Sequence, residues 1–206
     1  MGRTSSNLNP LFCRVCLETT PIGGAETDLT MLFADVRGST GLAEGQSPAQ
    51  YSRLINRFYV AAAEVLTHTD AIIPRFAGDA VIGLYVPGFA GPEHARLAVE
   101  AAHQILRKTG HGDRNGPWIP VGVGVHSGEA YVGKIGSEGV ADITALGDSA
   151  NIAARLSSAA GPGEVLISDA AFTATGSDQN DLEHRRLELK GRNEPVDVWA
   201  LRISSS

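Results

Sequence analysis

Two aspartates, Asp35 and Asp79, lie at positions from which their carboxylates could bind a metal ion. Asp35 ends the apolar segment 29–34, which is predicted as a buried strand. Asp79 lies in a Gly-Asp turn between segments 71–76 and 80–85, which together predict a β-hairpin. Adjacent central strands could bring the carboxylates together, and two close carboxylates repel unless a dication lies between them. Magnesium binds through one or two carboxylates plus water and phosphates, so this pair is a candidate magnesium site. Taken singly, Asp79 is better explained as a turn residue and Asp35 as a strand-ending cap.

Two further groups have the chemistry to hold a phosphorylated ligand. Gly38-Ser39-Thr40 follows Asp35 and leads toward a helix, whose first backbone N–H groups can face a phosphate. Asn151 and Arg155 are four residues apart on a predicted helix and therefore share a face. Arginine offers a planar, permanently charged fork, and asparagine can accept a hydrogen bond from a ribose hydroxyl. Without further support, this spacing is also typical of a solvated helix face.

The elements that must position these residues follow the order strand, helix, two strands, helix, more strands. Ser47, Pro48 and Gln50 form a capping-box start for one helix, whose inward face runs from Tyr51 to Leu66. A second helix is predicted over 94–108, and Asp148 or Ser149 is expected to cap a third. Further strands are predicted over 119–125, 130–135, 164–168, 186–190 and 196–203. This order predicts an α+β fold, with helices packed on a mostly antiparallel sheet.

Composition narrows the possible partners. The chain has 206 residues and a formal net charge of −6, which argues against a nucleic-acid surface. No apolar run is long enough for a membrane span, and the polar start predicts no signal peptide. A cytoplasmic location is therefore expected, without membrane insertion. Residues 1–27 are predicted as an N-terminal segment, and 28–206 as the functional domain. Cys13 and Cys16 have metal-ligand spacing, but they supply only two of the four ligands that a zinc site needs. The alternatives are a zinc shared between two subunits, a redox switch, or two small apolar residues without such a role.

Three motifs, in order and at suitable spacing, carry a family resemblance. They are Phe33-Ala34-Asp35-Val36-Arg37-Gly38-Ser39-Thr40, Phe76-Ala77-Gly78-Asp79 and Leu146-Gly147-Asp148-Ser149-Ala150-Asn151-Ile152-Ala153-Ala154-Arg155-Leu156. Over the region from about residue 28 to the C-terminus, the chain resembles a bacterial class III adenylate/guanylate cyclase catalytic domain. The resemblance implies a ferredoxin-like core and a head-to-tail homodimer with its active sites at the subunit interface.

The resemblance also implies roles for individual residues. Asp35 and Asp79 match the family's metal-binding aspartates, with the Val36 carbonyl as a further ligand for two Mg²⁺ ions, which Mn²⁺ is expected to replace. Asn151 and Arg155 match the transition-state pair presented by the opposite subunit. The expected reaction converts a nucleoside triphosphate, ATP by preference, into its 3′,5′-cyclic monophosphate and pyrophosphate.

Several positions depart from the family pattern. The two base-binding positions are occupied by Arg75 and Thr144, which discriminate adenine from guanine less sharply than a lysine and an aspartate would. Gly122 lies near a position where many relatives carry a basic residue that touches the triphosphate. Lys190 is the favoured replacement because its Lys-Gly turn recurs in the family; Arg192, Lys134 and Arg37 are the alternatives. These departures leave open a cyclase acting on GTP or a pyrimidine triphosphate, or a degenerate nucleotide-binding regulatory domain.

Overall fold

The computed structural model describes residue 19 and residues 21–74, 76–137, 140–177, 182–189, 191, 192 and 194–203. Cys13, Cys16, Arg75 and Lys190 lie outside the described residues. The described elements, in chain order, are β1 (Gly23–Val36), α1 (Ser39–Glu44), α2 (Pro48–His68), β2 (Phe76–Ala77), β3 (Ala80–Tyr85), α3 (Pro87–Ala90), α4 (His94–Lys108), β4 (Val121–Ser137), β5 (Val140–Leu146), α5 (Asp148–Ala159), β6 (Glu164–Ser168), α6 (Asp169–Thr175), β7 (Glu183–Leu187) and β8 (Val196–Arg202).

The strands form one sheet in the order β2-β3-β1-β4-β6-β8-β7, and β5 pairs with the far end of β4. All strand pairs are antiparallel except β4 and β6. The predicted α+β plan with a mostly antiparallel sheet is therefore confirmed. β1 lies between β3 and β4 in the interior of the sheet. The end of β1, with Asp35, is therefore flanked by strands on both sides.

The predicted strand pair 119–125 and 130–135 is wrong, because one continuous strand, β4, covers both segments. The whole of β1 pairs with β4, from Gly23 opposite Lys134 to Val36 opposite Val121. Gly128, which lies between the two predicted strands, pairs with Leu29 in this ladder. β1 also begins at Gly23, inside the segment expected to precede the domain. Beyond this ladder, β4 turns back into β5, which the sequence did not predict.

Two layers of helices cover the sheet. The alternate residues Val121, Val123 and Val125 of β4 face the core formed with α2 and α4, where Phe58 and Ile105 are fully buried. Helix α5 covers the opposite face of β4. A Cβ added to Gly124 would lie 2.2 Å from the backbone nitrogen of Ser157, so α5 rests directly on the strand's backbone.

The helix predictions are confirmed for α2 and α4 but need a correction at α5. In α2 the Ser47 hydroxyl accepts from the Gln50 backbone N–H, and the Gln50 side chain accepts from the Ser47 N–H at 2.9 Å, which is the predicted capping box. The N-cap of α5 is Gly147, without a side-chain cap, and not Asp148 or Ser149. The Ser149 hydroxyl donates instead to the Glu129 carbonyl at 2.8 Å, and Asp148 pairs with Arg192.

The closing strands also differ in part from expectation. β6 and β8 lie where they were predicted, whereas β7 covers Glu183–Leu187 rather than 186–190. The chain after β7 turns instead of extending, with the Arg192 N–H bonded to the Leu189 carbonyl and Gly191 at φ 77°. Of the helices in the described part of the chain, none is both long and apolar enough to cross a membrane.

Candidate active site

The sheet brings Asp35 and Asp79 together. Asp35 lies in β1 opposite Ala80, the first residue of β3, and Asp79 lies in the turn immediately before it. The Val36 N–H donates to the Asp79 carbonyl at 3.2 Å, which ties the turn to the end of β1. Gly78 adopts φ 64° in this turn, a conformation that suits glycine. The predicted Gly-Asp turn and the approach of the two aspartates are therefore present. The first strand predicted for this hairpin, 71–76, is wrong, because β2 covers only Phe76–Ala77 and Ile72 forms an isolated bridge to Leu84.

The two carboxylates interact electrostatically. Burial raises the pKa of Asp35 above its ordinary value, the Arg37 guanidinium opposes this, and the negative charge of Asp79 raises the pKa further. The Asp35 side chain is 24% exposed and forms an ion pair with Arg37. Two neighbouring carboxylates at the end of adjacent strands, one of them destabilised as an anion, form an oxygen donor set that suits a hard divalent cation such as Mg²⁺.

Two tyrosines of α2 border the Asp79 turn and were not predicted as site residues. The Tyr59 hydroxyl donates to the Gly78 carbonyl, and its ring stacks on Phe76 with ring centroids 4.3 Å apart. Burial and then the charge of Asp79 raise the pKa of Tyr51 and of Tyr59. Their spacing of eight residues places both on one side of α2, and this was the available sequence signal. Tyr59 thus contacts both Phe76, on the strand before the turn, and Gly78 in the turn itself.

The Gly-Ser-Thr segment lies next to this carboxylate pair. Gly38 is the N-cap of the short helix α1 and has φ 66°. No side-chain hydrogen bond caps this helix. Gly38 and Thr40 are exposed, and the Ser39 side chain hydrogen-bonds Tyr51. The segment therefore lies open to solvent beside Asp35 and leads into a helix, as the sequence predicted.

Asn151 and Arg155 lie on one face of α5, but Arg155 does not turn toward the aspartates. Its guanidinium lies against Gly191, where an added Cβ would come within 3.4 Å of it. Gly191 belongs to the connection between β7 and β8, while Asp35 lies on β1, with β4 and β6 between these parts of the sheet. Among the described residues, Arg155 forms no ion pair, and Asn151 is exposed. Within one chain, Asn151 and Arg155 thus lie apart from Asp35 and Asp79.

The candidates for a phosphate contact differ in their surroundings. Arg192 pairs with Asp148 in the first turn of α5 and holds the β7–β8 connection against that helix. Arg37 is bonded to Asp35. A Cβ at Gly122 would lie 2.7 Å from the Ala160 carbonyl oxygen, so a basic side chain at this position would require α5 to move. Lys190 lies outside the described residues, next to the Gly191 that touches Arg155.

Thr144 lies on β5 opposite Gly133 and is partly exposed. Alternation places it on the same face as Asp142 and Leu146, both of which are exposed. Leu146 is 52% exposed and pairs with Tyr131, which is 36% exposed. The β4–β5 hairpin therefore presents Thr144 on an open face with apolar residues beside it. Its expected partner at the base, Arg75, lies outside the described residues.

Fold and motifs together define a nucleotide cyclase domain, and comparison with known proteins establishes the family. The family described as the adenylate and guanylate cyclase catalytic domain matches residues 24–202. The chain therefore belongs to the class III adenylate/guanylate cyclase catalytic domains.

Individual relatives include both kinds of cyclase. The chain is 27% identical to the guanylyl cyclase Cya2, whose crystal structure it matches with a TM-score of 0.78, covering 89% of this chain and all of that one. The adenylyl cyclase CyaB from P. aeruginosa matches with a TM-score of 0.73 at 23% identity, over 88% of this chain and 96% of that one. These similarities confirm the predicted class III cyclase fold. An adenylate cyclase of Anabaena cylindrica is 24% identical over 90% of this chain, which spans 39% of that relative's length.

Proposed function

We propose that the chain forms a homodimer that converts ATP into 3′,5′-cyclic AMP and pyrophosphate with two Mg²⁺ ions held by Asp35 and Asp79. The observation that carries this proposal is the placement of the two aspartates at the ends of adjacent strands, where burial, opposed by Arg37, and then the charge of Asp79 raise the pKa of Asp35. Two neighbouring, half-buried carboxylates repel each other, and a dication between them relieves this repulsion, so their placement favours a metal site over two unrelated structural aspartates.

The reaction needs several groups at once. The ribose 3′-oxygen attacks the α-phosphorus and its proton passes to solvent water. The bond from that phosphorus to the oxygen bridging to the β-phosphate breaks, and pyrophosphate leaves. Magnesium ions bound there would supply Lewis-acid activation of the attacking oxygen and would neutralise charge on the leaving group. In this proposal Asp35, Asp79 and the Val36 carbonyl hold the ions. Gly38, Ser39, Thr40 and Lys190 bind the triphosphate, with the first three offering the N–H groups and hydroxyls at the start of α1.

Arg155 and Asn151 complete the proposed site from the other subunit. Arginine neutralises the charge that develops on the phosphoryl oxygens, as in other phosphoryl transfers, and asparagine orients the ribose. Two observations support a shared site: Arg155 lies against Gly191, away from Asp35 of its own chain, and the hairpin beside Thr144 exposes Tyr131 and Leu146. An exposed apolar pair next to half of a site is typical of a surface that a second subunit covers.

Base preference is tested through Thr144. Its hydroxyl accepts from the adenine amino group but can also rotate and donate to a guanine oxygen, and Arg75 donates to either base. Leaving a buried polar group unpaired costs about 1–3 kcal/mol, so we expect ATP to be preferred over GTP by roughly ten- to a hundredfold. Thr144→Asp makes this position an acceptor and should increase the preference for ATP. The measurement is kcat/KM for all four triphosphates in both proteins.

Two matched variants separate base recognition from packing at this position. Thr144→Ser keeps the hydroxyl and should preserve the ratio of ATP to GTP, whereas Thr144→Val keeps the shape without the hydroxyl and should reduce it. If UTP or CTP is the best substrate, or if Thr144→Asp leaves the ratios unchanged, Thr144 does not read the base. Because both a guanylyl and an adenylyl cyclase resemble this chain, GTP is the competitor that matters most.

A nucleotide-binding regulatory domain without turnover is the other candidate function. The residues that favour it, Arg75, Thr144 and Gly122, choose the base or contact phosphates. The residues assigned to the chemistry, Asp35, Asp79, Asn151 and Arg155, match the family motifs without substitution. We therefore favour the enzyme.

A further inference from the structure

The Arg37 side chain is anchored at every nitrogen beside the proposed metal site. One terminal nitrogen pairs with the Asp35 carboxylate, and Nε donates to the Asp35 carbonyl at 3.3 Å. The other terminal nitrogen donates to the backbone carbonyl of Ser158 at 2.8 Å, near the end of α5. The Arg37 side chain is 18% exposed, so it carries a largely enclosed cation and not a freely solvated surface charge.

This cation lies where it neutralises the least favourable charge in the region. Burial and the neighbouring Asp79 both disfavour the Asp35 anion, and Arg37 opposes them. A divalent cation bound by Asp35 would supply the same neutralisation. It would bind the same carboxylate that Arg37 now contacts, and two cations sharing one carboxylate repel each other.

From these contacts we propose that Arg37 is a displaceable internal counterion: it pairs with Asp35 while the metal is absent, and metal binding expels it. The inference rests on the metal site proposed above. Since the same guanidinium bonds Ser158, its release also frees the last turn of α5. That helix carries Asn151 and Arg155, which in the proposed dimer serve the other active site. Metal entry at one site therefore loosens the helix that completes its neighbour.

The first test measures binding of Mn²⁺ alone, without nucleotide, by electron paramagnetic resonance of the free ion. Arg37→Gln removes the competing charge, and we expect it to bind Mn²⁺ roughly three- to tenfold more tightly than the wild type, as suits loss of one partly buried ion pair. Arg37→Lys keeps the charge but cannot hold Asp35 and Ser158 together, so its affinity should fall between the two. Arg96→Gln, which removes an equal charge from an exposed position on α4, should leave the affinity unchanged.

The second test follows hydrogen exchange of the last turn of α5, residues 156–160. Adding Mn²⁺ should speed exchange there in the wild type, because Arg37 leaves the Ser158 carbonyl, and should change it little in Arg37→Gln. The proposal is overturned if folded Arg37→Gln and Arg37→Lys bind Mn²⁺ no more tightly than the wild type, or if Mn²⁺ leaves wild-type exchange in this turn unchanged. Equal Mn²⁺ binding by Asp35→Ala and the wild type would instead contradict the metal site itself.

Discussion

Replacing Asp35 or Asp79 with alanine should abolish cyclisation, with kcat/KM falling by roughly a thousandfold or more, since a catalytic metal stabilises the transition state by several kcal/mol and each 1.4 kcal/mol is a factor of ten. Each variant removes half of the carboxylate pair that the β1–β3 ladder assembles. The measurement is steady-state turnover at saturating Mn²⁺, with circular dichroism to establish folding.

Folding should survive the Asp35 substitution for a reason that lies in the electrostatics. The raised pKa of Asp35 means that the folded state disfavours its charged form, so its removal takes away an unfavourable charge. A carboxylate with a depressed pKa stabilises the folded state at neutral pH and loses that contribution on acidification. Asp35 makes no such contribution, because its pKa is raised. Glu100→Ala, which removes an exposed carboxylate from α4, is the matched control and should turn over at the wild-type rate. Turnover within a few-fold of wild type in either aspartate variant would contradict the metal assignment.

The local parts of the site were predictable from the sequence because short-range rules determine them. An aspartate that ends an apolar run and an aspartate in a Gly-Asp turn each have one plausible position in a strand or a hairpin. The capping box at Ser47 and Gln50 likewise depends on residues three apart. Asn151 and Arg155 share a helix face through the helical repeat alone.

The parts that were missed depend on distant partners. Glycines 122, 124 and 128 would weaken an isolated strand. β4 nevertheless runs through them, because β1 pairs with it from Val121 to Lys134. Gly124 is needed where it is because α5 lies on the bare backbone there, a contact that no local pattern encodes. The contact of Arg37 with Ser158 spans 121 positions in the chain, and so the sequence offered only the proximity of Arg37 to Asp35. The roles of all the site residues, Arg75 and Lys190 among them, stay predictions.

Mixing two inactive variants should restore activity if the site is shared between subunits. Asp35→Ala lacks the metal half and Arg155→Ala lacks the transition-state half, so each homodimer is inactive. In a mixed dimer with two-fold symmetry of the backbone, one site receives both substitutions and the other receives neither. After random exchange of equal amounts, half of the dimers are mixed, and we expect recovery of about a quarter of the wild-type activity.

The control for this experiment is a mixture of Asp35→Ala with Asp79→Ala. Both substitutions fall in the same half-site, so neither site of that mixed dimer is intact and activity should stay absent. Mixed dimers are demonstrated by differential tags. If they form and the first mixture stays inactive, each chain must contain its own complete site, in disagreement with the position of Arg155 against Gly191.

Phosphorus NMR of the turnover mixture tests the central claim most directly. The wild-type chain is incubated with ATP and Mn²⁺, and the phosphorus resonances of nucleotide products and pyrophosphate are followed together. A nucleotide cyclase produces 3′,5′-cyclic AMP and pyrophosphate in equal amounts, and Asp35→Ala produces neither. Absence of cyclic product from ATP and from the other three triphosphates, by a folded chain that binds Mn²⁺, would contradict the account.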